Sequence, residues 1–79
     1  MVTPESIKHD IEKGMVTTYL TVVGDGQHFE AVVVSDEFSG LSRIQRQLRV
    51  NKALGDRITG DIHALSMKTL TPQEWLEKQ

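Results

Sequence analysis

The 79-residue sequence contains no cysteine. It therefore has no disulfide framework and no thiolate nucleophile, and any thiolate ligand for a soft metal must come from another molecule. No stretch approaches the ~20 consecutive apolar residues that a membrane-spanning helix requires, and the first residues lack the basic and apolar segments of a secretory signal. We therefore expect a cytoplasmic protein without a membrane span.

Aromatic residues make up only 5% of the chain, and eleven acidic residues against nine basic ones set the formal charge at −2. With so few aromatics, we expect Phe29, Phe38 and Trp75 to serve packing or docking rather than base stacking. The acidic balance argues against a general nucleic-acid binder. Neither a Ser-His-Asp order nor a paired-carboxylate motif nor a phosphate-binding loop is recognisable, so we expect no enzymatic activity.

Apolar periodicity, capping residues and turn residues predict an α-β-β-α-β-α order. The elements are a helix over 4–13, hairpin strands over 16–23 and 29–34, a main helix over 41–54, a strand over 62–70 and a short helix after Thr71. Thr3 is expected to cap the start of the first helix, and Gly14 is expected to end it. Thr71 and Glu74 have the spacing of a capping box at the start of the last helix. We expect one α+β domain over residues 1–79, with helices covering a three-stranded mixed sheet.

The apolar pattern also predicts which faces are buried. Leu41, Ile44, Leu48 and Leu54 recur at roughly helical intervals, so they are expected to form the buried stripe of the main helix. The hairpin strands are apolar at nearly every position, so each strand is either covered on both faces or leaves one face to a partner. The sequence leaves these two alternatives open.

Topology places two histidines on one edge of the sheet. A strand, a crossover helix and a second strand in one sheet run parallel, so the second and third strands start at the same edge. His28 stands at the start of the second strand and His63 near the start of the third. Neighbouring strands would hold them about 5 Å apart across the sheet, and an intervening strand would double that spacing.

Several motifs together resemble the BolA-like family over nearly the whole chain. They are Phe38-Ser39-Gly40-Leu41-Ser42-Arg43, Ile62-His63-Ala64-Leu65-Ser66 and Thr71-Pro72-Gln73-Glu74-Trp75. The loop before Phe29 is similar to the histidine-type loop of the family rather than to its cysteine type. Many members have Arg-His and Val-Tyr in the main helix, whereas this chain has Arg46-Gln47 and Val50-Asn51, which resembles the IbaG-like branch.

The resemblance implies a class II KH-like fold without the Gly-x-x-Gly clamp, and pairing with a monothiol glutaredoxin of the Cys-Gly-Phe-Ser type. In such heterodimers a [2Fe–2S] cluster is shared: the glutaredoxin and its glutathione supply thiolates, and the BolA-like partner supplies histidines, here His63 and His28. Imidazoles replace thiolates on one iron of Rieske centres. The residues alone favour a structural or surface role for His63 and an ordinary hairpin role for His28, and the resemblance favours the ligand role for both.

Basic residues concentrate around the main helix. They are Arg43, Arg46, Arg49, Lys52 and Arg57. They could contact phosphates, glutathione or an acidic partner, or they could form a solvated face.

The leading functional hypothesis is a non-enzymatic iron–sulfur trafficking or sensing adaptor. The alternatives are a DNA-binding transcriptional regulator that uses the basic helix, and a protein that binds a partner without a cluster; a homodimer is also open.

Overall fold

The structure is a computed structural model that describes residues 3–25, 28–55 and 64–78. Its elements, in chain order, are α1 (Pro4–Gly14), β1 (Tyr19–Gly24), β2 (His28–Val34), a 3-10 helix (Asp36–Phe38), α2 (Arg43–Leu54), β3 (Ala64–Leu70) and α3 (Pro72–Glu77). The predicted α-β-β-α-β-α order is confirmed. The short 3-10 helix was not predicted.

Side-chain caps set where the helices begin. The Thr3 hydroxyl accepts a hydrogen bond from the Ser6 N–H, and the Thr71 hydroxyl accepts one from the Glu74 N–H, as the sequence predicts. Ser42 caps α2 in the same way and exchanges reciprocal hydrogen bonds with Gln45. Since the cap residue itself is non-helical, α2 begins two residues later than its apolar pattern indicates.

The sheet has the strand order β1-β2-β3. β1 pairs antiparallel with β2, and β2 pairs parallel with β3, so the predicted mixed sheet and the parallel arrangement are both confirmed. β2 and β3 are direct neighbours, which selects the closer of the two spacings expected between the second and third strands. In their register, His28 lies opposite Ala64.

One face of the sheet packs against α1 and α2. Phe29, Ala31 and Val33 alternate along β2 and point into this core. The buried residues they meet come from both helices and from β1, namely Ile7, Ile11, Met15, Leu20, Phe38, Val50 and Leu54. The central strand thus carries the core on its odd-numbered positions.

The other face of the sheet is covered at one end only. Trp75 of α3 stacks on Tyr19 with ring centroids 4.8 Å apart, and Tyr19 lies opposite the fully buried Val34. At the other end of β2, His28 and Glu30 are exposed. Of the alternatives left open for the hairpin strands, cover on both faces is found at the Val34 end of β2, and a partner for the exposed His28 end stays a prediction.

The predicted buried stripe of α2 is wrong at two positions. Ile44 and Leu48 are exposed, whereas Leu54 is buried as expected together with Val50. The inward row of α2 begins at Arg46 and continues at intervals of four through Val50 and Leu54. Because this row contains an arginine, the apolar residues alone could not reveal how the helix is rotated.

This rotation can be tested with two leucine-to-alanine substitutions on the same helix. Leu54 is 4% exposed and Leu48 is 61% exposed. We expect Leu54→Ala to lower the free energy of unfolding by about 2–5 kcal/mol because it leaves a cavity, and Leu48→Ala to change it by less than about 0.5 kcal/mol. Urea denaturation followed by circular dichroism measures both values. Similar losses for the two variants would contradict the observed rotation.

Candidate functional site

His28 begins β2 on a turn that is closed by its neighbour Asp25. The His28 N–H donates to Asp25 Oδ1 at 2.9 Å, and the Asp25 N–H donates to the His28 carbonyl oxygen at 3.2 Å. These two bonds hold the backbone at the first residue of the strand. The His28 side chain itself is exposed. Its imidazole therefore extends into solvent from a residue whose backbone is held by hydrogen bonds.

Gly24 is required by the packing beside this histidine. A Cβ atom at Gly24 would lie 2.5 Å from Phe29 Cδ1 and 2.7 Å from the His28 carbonyl oxygen. Phe29 is buried in the core, so its ring cannot move aside without disturbing other contacts. The absence of a side chain at Gly24 thus lets the Phe29 ring approach the turn that holds His28.

An open cleft of about 420 Å³ lies beside the imidazole, between the hairpin turn and β3. It is lined by Val23, Gly24, Asp25, His28, Phe29, Glu30 and Ser66. His28 lies opposite Ala64 in the parallel register. The second predicted ligand, His63, precedes Ala64 in the sequence and lies outside the described residues, as does Arg57.

His28 is the histidine that the described residues place at this cleft. Among residues 3–25, 28–55 and 64–78, no group of three or more His, Cys, Asp or Glu side chains could hold a metal ion. The sequence offers imidazoles and no thiolate, and imidazole can replace thiolate on one iron of a [2Fe–2S] cluster. A cluster at this edge would need further ligands from a second molecule.

Arg46 lies at the junction of α2, β3 and α3. Its guanidinium Nη1 donates to the Thr69 carbonyl oxygen at 3.0 Å and to Glu74 Oε1 at 2.7 Å, and its Nε donates to the Leu41 carbonyl oxygen at 3.0 Å. Only 14% of the side chain is exposed. The structure therefore gives Arg46 a role within the fold, and its predicted contact with a partner stays a prediction.

Glu74 is the carboxylate that receives Arg46. The Arg46 hydrogen bond, followed by the Thr71 backbone N–H, lowers the pKa of Glu74 from 4.5 to about 2. The same Oε1 atom accepts from Arg46 and from the Thr71 N–H at 2.8 Å. One carboxylate thus caps α3 and ties it to α2.

Arg49 makes a second inward ion pair, with Glu37 of the 3-10 helix at 2.8 Å. Its Nη2 also donates to the Gly14 carbonyl oxygen at 3.0 Å. Glu37 Oε2 accepts from the Val16 N–H at 2.7 Å, and this bond, reinforced by Arg49, lowers the pKa of Glu37. Glu37 therefore joins the approach to β1 to α2, and Arg49 joins α2 to the end of α1.

Glu37 and Ser35 are not among the residues predicted from the sequence. Ser35 is buried, donates through its hydroxyl to the Val16 carbonyl oxygen at 2.5 Å, and accepts from the Glu37 N–H at 3.0 Å. A serine followed by two acidic residues has the composition of a helix N-terminus, which was the available signal. Nothing in the local pattern indicated that Glu37 would pair with Arg49.

The remaining described cations of α2, Arg43 and Lys52, are exposed. Neither takes part in the ion pairs found within the described ranges. Arg43 also lines an open groove of about 530 Å³ between the start of α2, β3 and α3. The five predicted basic residues are therefore not one surface: two face inward, two face solvent, and Arg57 is not described.

None of the helices in the described part of the chain is both long and apolar enough to cross a membrane. The architecture is an α+β domain in which α1 and α2 cover one face of a three-stranded mixed sheet, α3 covers one end of the other face, and an exposed histidine begins the central strand. A model of the family described as "BolA-like protein" matches residues 1–74. The chain belongs to the BolA-like family.

Known relatives support this assignment. The chain is 44% identical over 55 residues to the acid stress protein IbaG of Escherichia coli, which covers 68% of this chain and 66% of that protein. It is 44% identical over 52 residues to the DNA-binding transcriptional regulator BolA of Vibrio cholerae, covering 66% and 49%. The chain thus spans at most two thirds of the length of these curated relatives.

A solved structure confirms the fold. The structure of a BolA protein homologue from Coxiella burnetii has a TM-score of 0.86 and 45% sequence identity, and the match covers 96% of this chain and 99% of that one. The relatives above are named for regulation and acid stress rather than for an enzymatic activity. The similarity to class II KH domains stays a prediction.

The Arg46–Glu74 ion pair makes the stability depend on pH. Since the folded-state pKa of Glu74 is lowered to about 2, its contribution is complete above the unfolded-state value of 4.5 and is lost as the pH falls towards 2. We expect Glu74→Gln to unfold at lower urea concentration than the wild type at pH 7, with a gap that narrows between pH 4.5 and 2. Urea midpoints across this range measure it.

The exposed Glu77, on the same helix, supplies the control for this series. We expect Glu77→Gln to stay close to the wild type at each pH. A gap between Glu74→Gln and the wild type that stayed constant down to pH 2 would contradict the assigned role of the ion pair.

Proposed function

We propose that this chain is a cytoplasmic, non-enzymatic adaptor that binds a monothiol glutaredoxin of the Cys-Gly-Phe-Ser type and co-ligates a bridging [2Fe–2S] cluster through His28 and His63. Its role would be iron–sulfur trafficking or sensing. The observation that carries the proposal is the parallel register that sets His28 opposite Ala64. His63 is the residue before Ala64, so the covalent chain keeps it within one residue of the position facing His28.

The surroundings of His28 support a ligand role. The strand backbone is held by Asp25, the imidazole is exposed, and an open cleft beside it leaves room for another molecule. A ligand whose backbone is already ordered loses less conformational entropy on binding than one on a free loop. The other described histidine, His9, is exposed within α1 and lies away from the parallel pair of strands.

Because the chain has no cysteine, a partner would have to supply the thiolate ligands of the cluster. The cluster, which is the cargo here, has iron sites that accept imidazole in place of thiolate. His28 and His63 would supply the imidazoles, and the glutaredoxin with its glutathione would supply the thiolates. Imidazole binds metal only when neutral, so protonation of His28 and His63 at lower pH would break their bonds to the cluster iron. Release of that kind suits transfer or sensing.

A DNA-binding regulator is the second candidate, because the similar V. cholerae protein is named as one. The sequence of α2 contains four cations and no carboxylate. Arg46 and Arg49 already form ion pairs within the fold, so Arg43 and Lys52 are the two α2 cations that stay exposed for phosphate contacts. These two exposed cations support a DNA-binding role less strongly than the five basic residues counted in the sequence.

The cluster proposal is tested by co-purifying the chain with a monothiol glutaredoxin, glutathione and an iron–sulfur source. We expect His63→Ala and His28→Ala each to change the visible absorption and circular dichroism of the mixed complex, because an iron ligand is lost. His9→Ala is the matched control and should leave both spectra unchanged. Spectra identical to the wild type for His63→Ala and His28→Ala would overturn the assigned ligands.

The regulator alternative is tested with a 20-base-pair duplex titrated at several salt concentrations. With two exposed α2 cations, we expect any binding to be weak and to disappear by ~150 mM salt. Replacing both Arg43 and Lys52 by Gln should then flatten the slope of log K against log salt by about 2. Tight binding that persists at this salt concentration would favour the regulator over the adaptor.

A further inference from the structure

The two edge strands of the described sheet, β1 and β3, differ in how their edges are protected. An edge strand presents unpaired N–H and C=O groups, and proteins block such edges with lysine, proline or a covering side chain. β3 carries the exposed Lys68, and the Thr69 carbonyl oxygen accepts from Arg46 at 3.0 Å. Arg43 lines the groove beside these residues. The edge of β3 is therefore protected by cations.

β1 has no such protection among the described residues. Residues 16–24, which include the whole strand, contain no charged residue and no proline. Val23 is 57% exposed and Tyr19 is 41% exposed, while Thr21 and Val22 are half-buried. Uncharged strands rich in β-branched and aromatic residues have a high tendency to pair with another strand. The edge of β1 is therefore open to pairing.

The hydrogen bonds of the hairpin show which backbone groups of β1 are directed outward. The Asp25 N–H donates to the His28 carbonyl oxygen, so these two residues form a hydrogen-bonded pair of the antiparallel ladder. Such pairs alternate with non-hydrogen-bonded pairs, so the odd-numbered residues of β1 direct their backbone groups towards β2. The even-numbered residues direct theirs away from the sheet. They are Leu20, Val22 and Gly24.

We propose that two copies of this chain pair antiparallel through β1 and join their sheets into one. A two-fold axis at Val22 would place Val22 opposite Val22 of the second copy, and Leu20 opposite Gly24 of the second copy. In this register the outward N–H and C=O groups of all three residues find partners, so about six hydrogen bonds cross the interface. The edge thus complements itself.

The same register brings compatible side chains together. Thr21 would lie opposite Val23 of the second copy, in a non-hydrogen-bonded pair, where opposed side chains are closest. Val23 is one of the exposed large apolar residues of the single chain, and this pair would cover it. No like charges would meet across the two strands, because β1 has no charged residue.

The helices on the core face leave room for this pairing. Leu20 is the buried residue of β1 and belongs to the same core cluster as Ile7 and Ile11 of α1. Pairing about Val22 separates the two copies of Leu20 by four positions, about 13 Å along the strands. Packed helices lie about 8–10 Å apart, so the two α1 helices can lie side by side.

A second copy fits this edge better than a strand of unrelated sequence. β1 offers no charge by which a foreign strand could be selected, whereas identical strands match each other across a two-fold axis. The pairing also closes, because it uses both β1 edges and leaves the protected β3 strands at the outside. We therefore expect a dimer rather than a fibre. The dimer uses neither His28 nor His63, so it does not depend on the cluster proposal.

Sedimentation velocity of the full 79-residue chain, from about 1 μM to about 300 μM, tests the dimer. We expect a monomer–dimer equilibrium. Thr21→Lys combined with Val23→Lys should raise the Kd of the dimer at least about tenfold, because lysines would lie opposite each other across the interface. Ser66→Lys adds a lysine at an exposed position of β3, and this control should leave the Kd unchanged. Urea denaturation checks that each variant is folded.

Single cysteines test the register, since the chain has none of its own. In the proposed register, Val22→Cys lies opposite its own copy with Cα atoms about 5.5 Å apart, within reach of a disulfide. Val23→Cys lies about 8 Å from its own copy. We expect Val22→Cys to form at least about ten times more disulfide-linked dimer in a glutathione redox buffer. Random collisions would favour Val23→Cys instead, because Val23 is the more exposed residue.

Four results would overturn the proposed dimer. The wild-type chain could stay monomeric at the highest concentration, or it could form species larger than a dimer. Thr21→Lys combined with Val23→Lys could dimerise like the wild type. Val23→Cys could form as much disulfide-linked dimer as Val22→Cys. The wild-type sedimentation and the cysteine variants decide the question even if the double lysine variant does not fold.

Discussion

The parallel pairing of β2 with β3 is the constraint on which the rest of the molecule depends. Parallel neighbours cannot be joined by a tight turn, so the chain must cross over, and α2 is part of that crossover. The crossover brings α2 onto the core face and returns the chain to the edge where β2 begins. The pairing of β2 with β3 therefore fixes the position of α2 on the core and the position of Ala64 of β3 opposite His28.

Two inward arginines decide how α2 sits on the sheet. Arg46 binds the Thr69 carbonyl and Glu74, and Arg49 binds Glu37 and the Gly14 carbonyl. Ion pairs that are partly withdrawn from water are screened less than those in open solvent. These contacts join the helix to α1, β3 and α3, and they turn Ile44 and Leu48 outward. The basic character of α2 is thus divided between internal structure and exposed surface.

Two exposed parts of the molecule differ in chemistry. At the start of β2 an exposed imidazole, that of His28, extends from a residue whose backbone is held by Asp25. On α2, two large apolar side chains, Ile44 and Leu48, face away from the core. The first is a polar group beside an open cleft and the second is apolar surface, so the two cannot serve the same kind of contact.

Local chemistry in the sequence was enough to determine the element order, the caps at Thr3 and Thr71, and the shared edge of the second and third strands. These follow from turn residues, apolar periodicity and the geometry of a crossover, each of which acts over a few residues or through one rule of chain topology. The family was likewise indicated by motifs. The register that sets His28 opposite Ala64, by contrast, is decided by the assembled sheet.

Tertiary structure alone decided the rotation of α2 and the roles of its charges. The apolar pattern predicted that Ile44 and Leu48 would be buried, because a periodicity of leucine and isoleucine cannot reveal that an arginine belongs to the inward row. Arg46 is accommodated there because a carbonyl and a carboxylate, distant in sequence, lie within hydrogen-bonding distance of it. Partners so far apart along the chain come together only when β3 and α3 pack against α2, which no local pattern records.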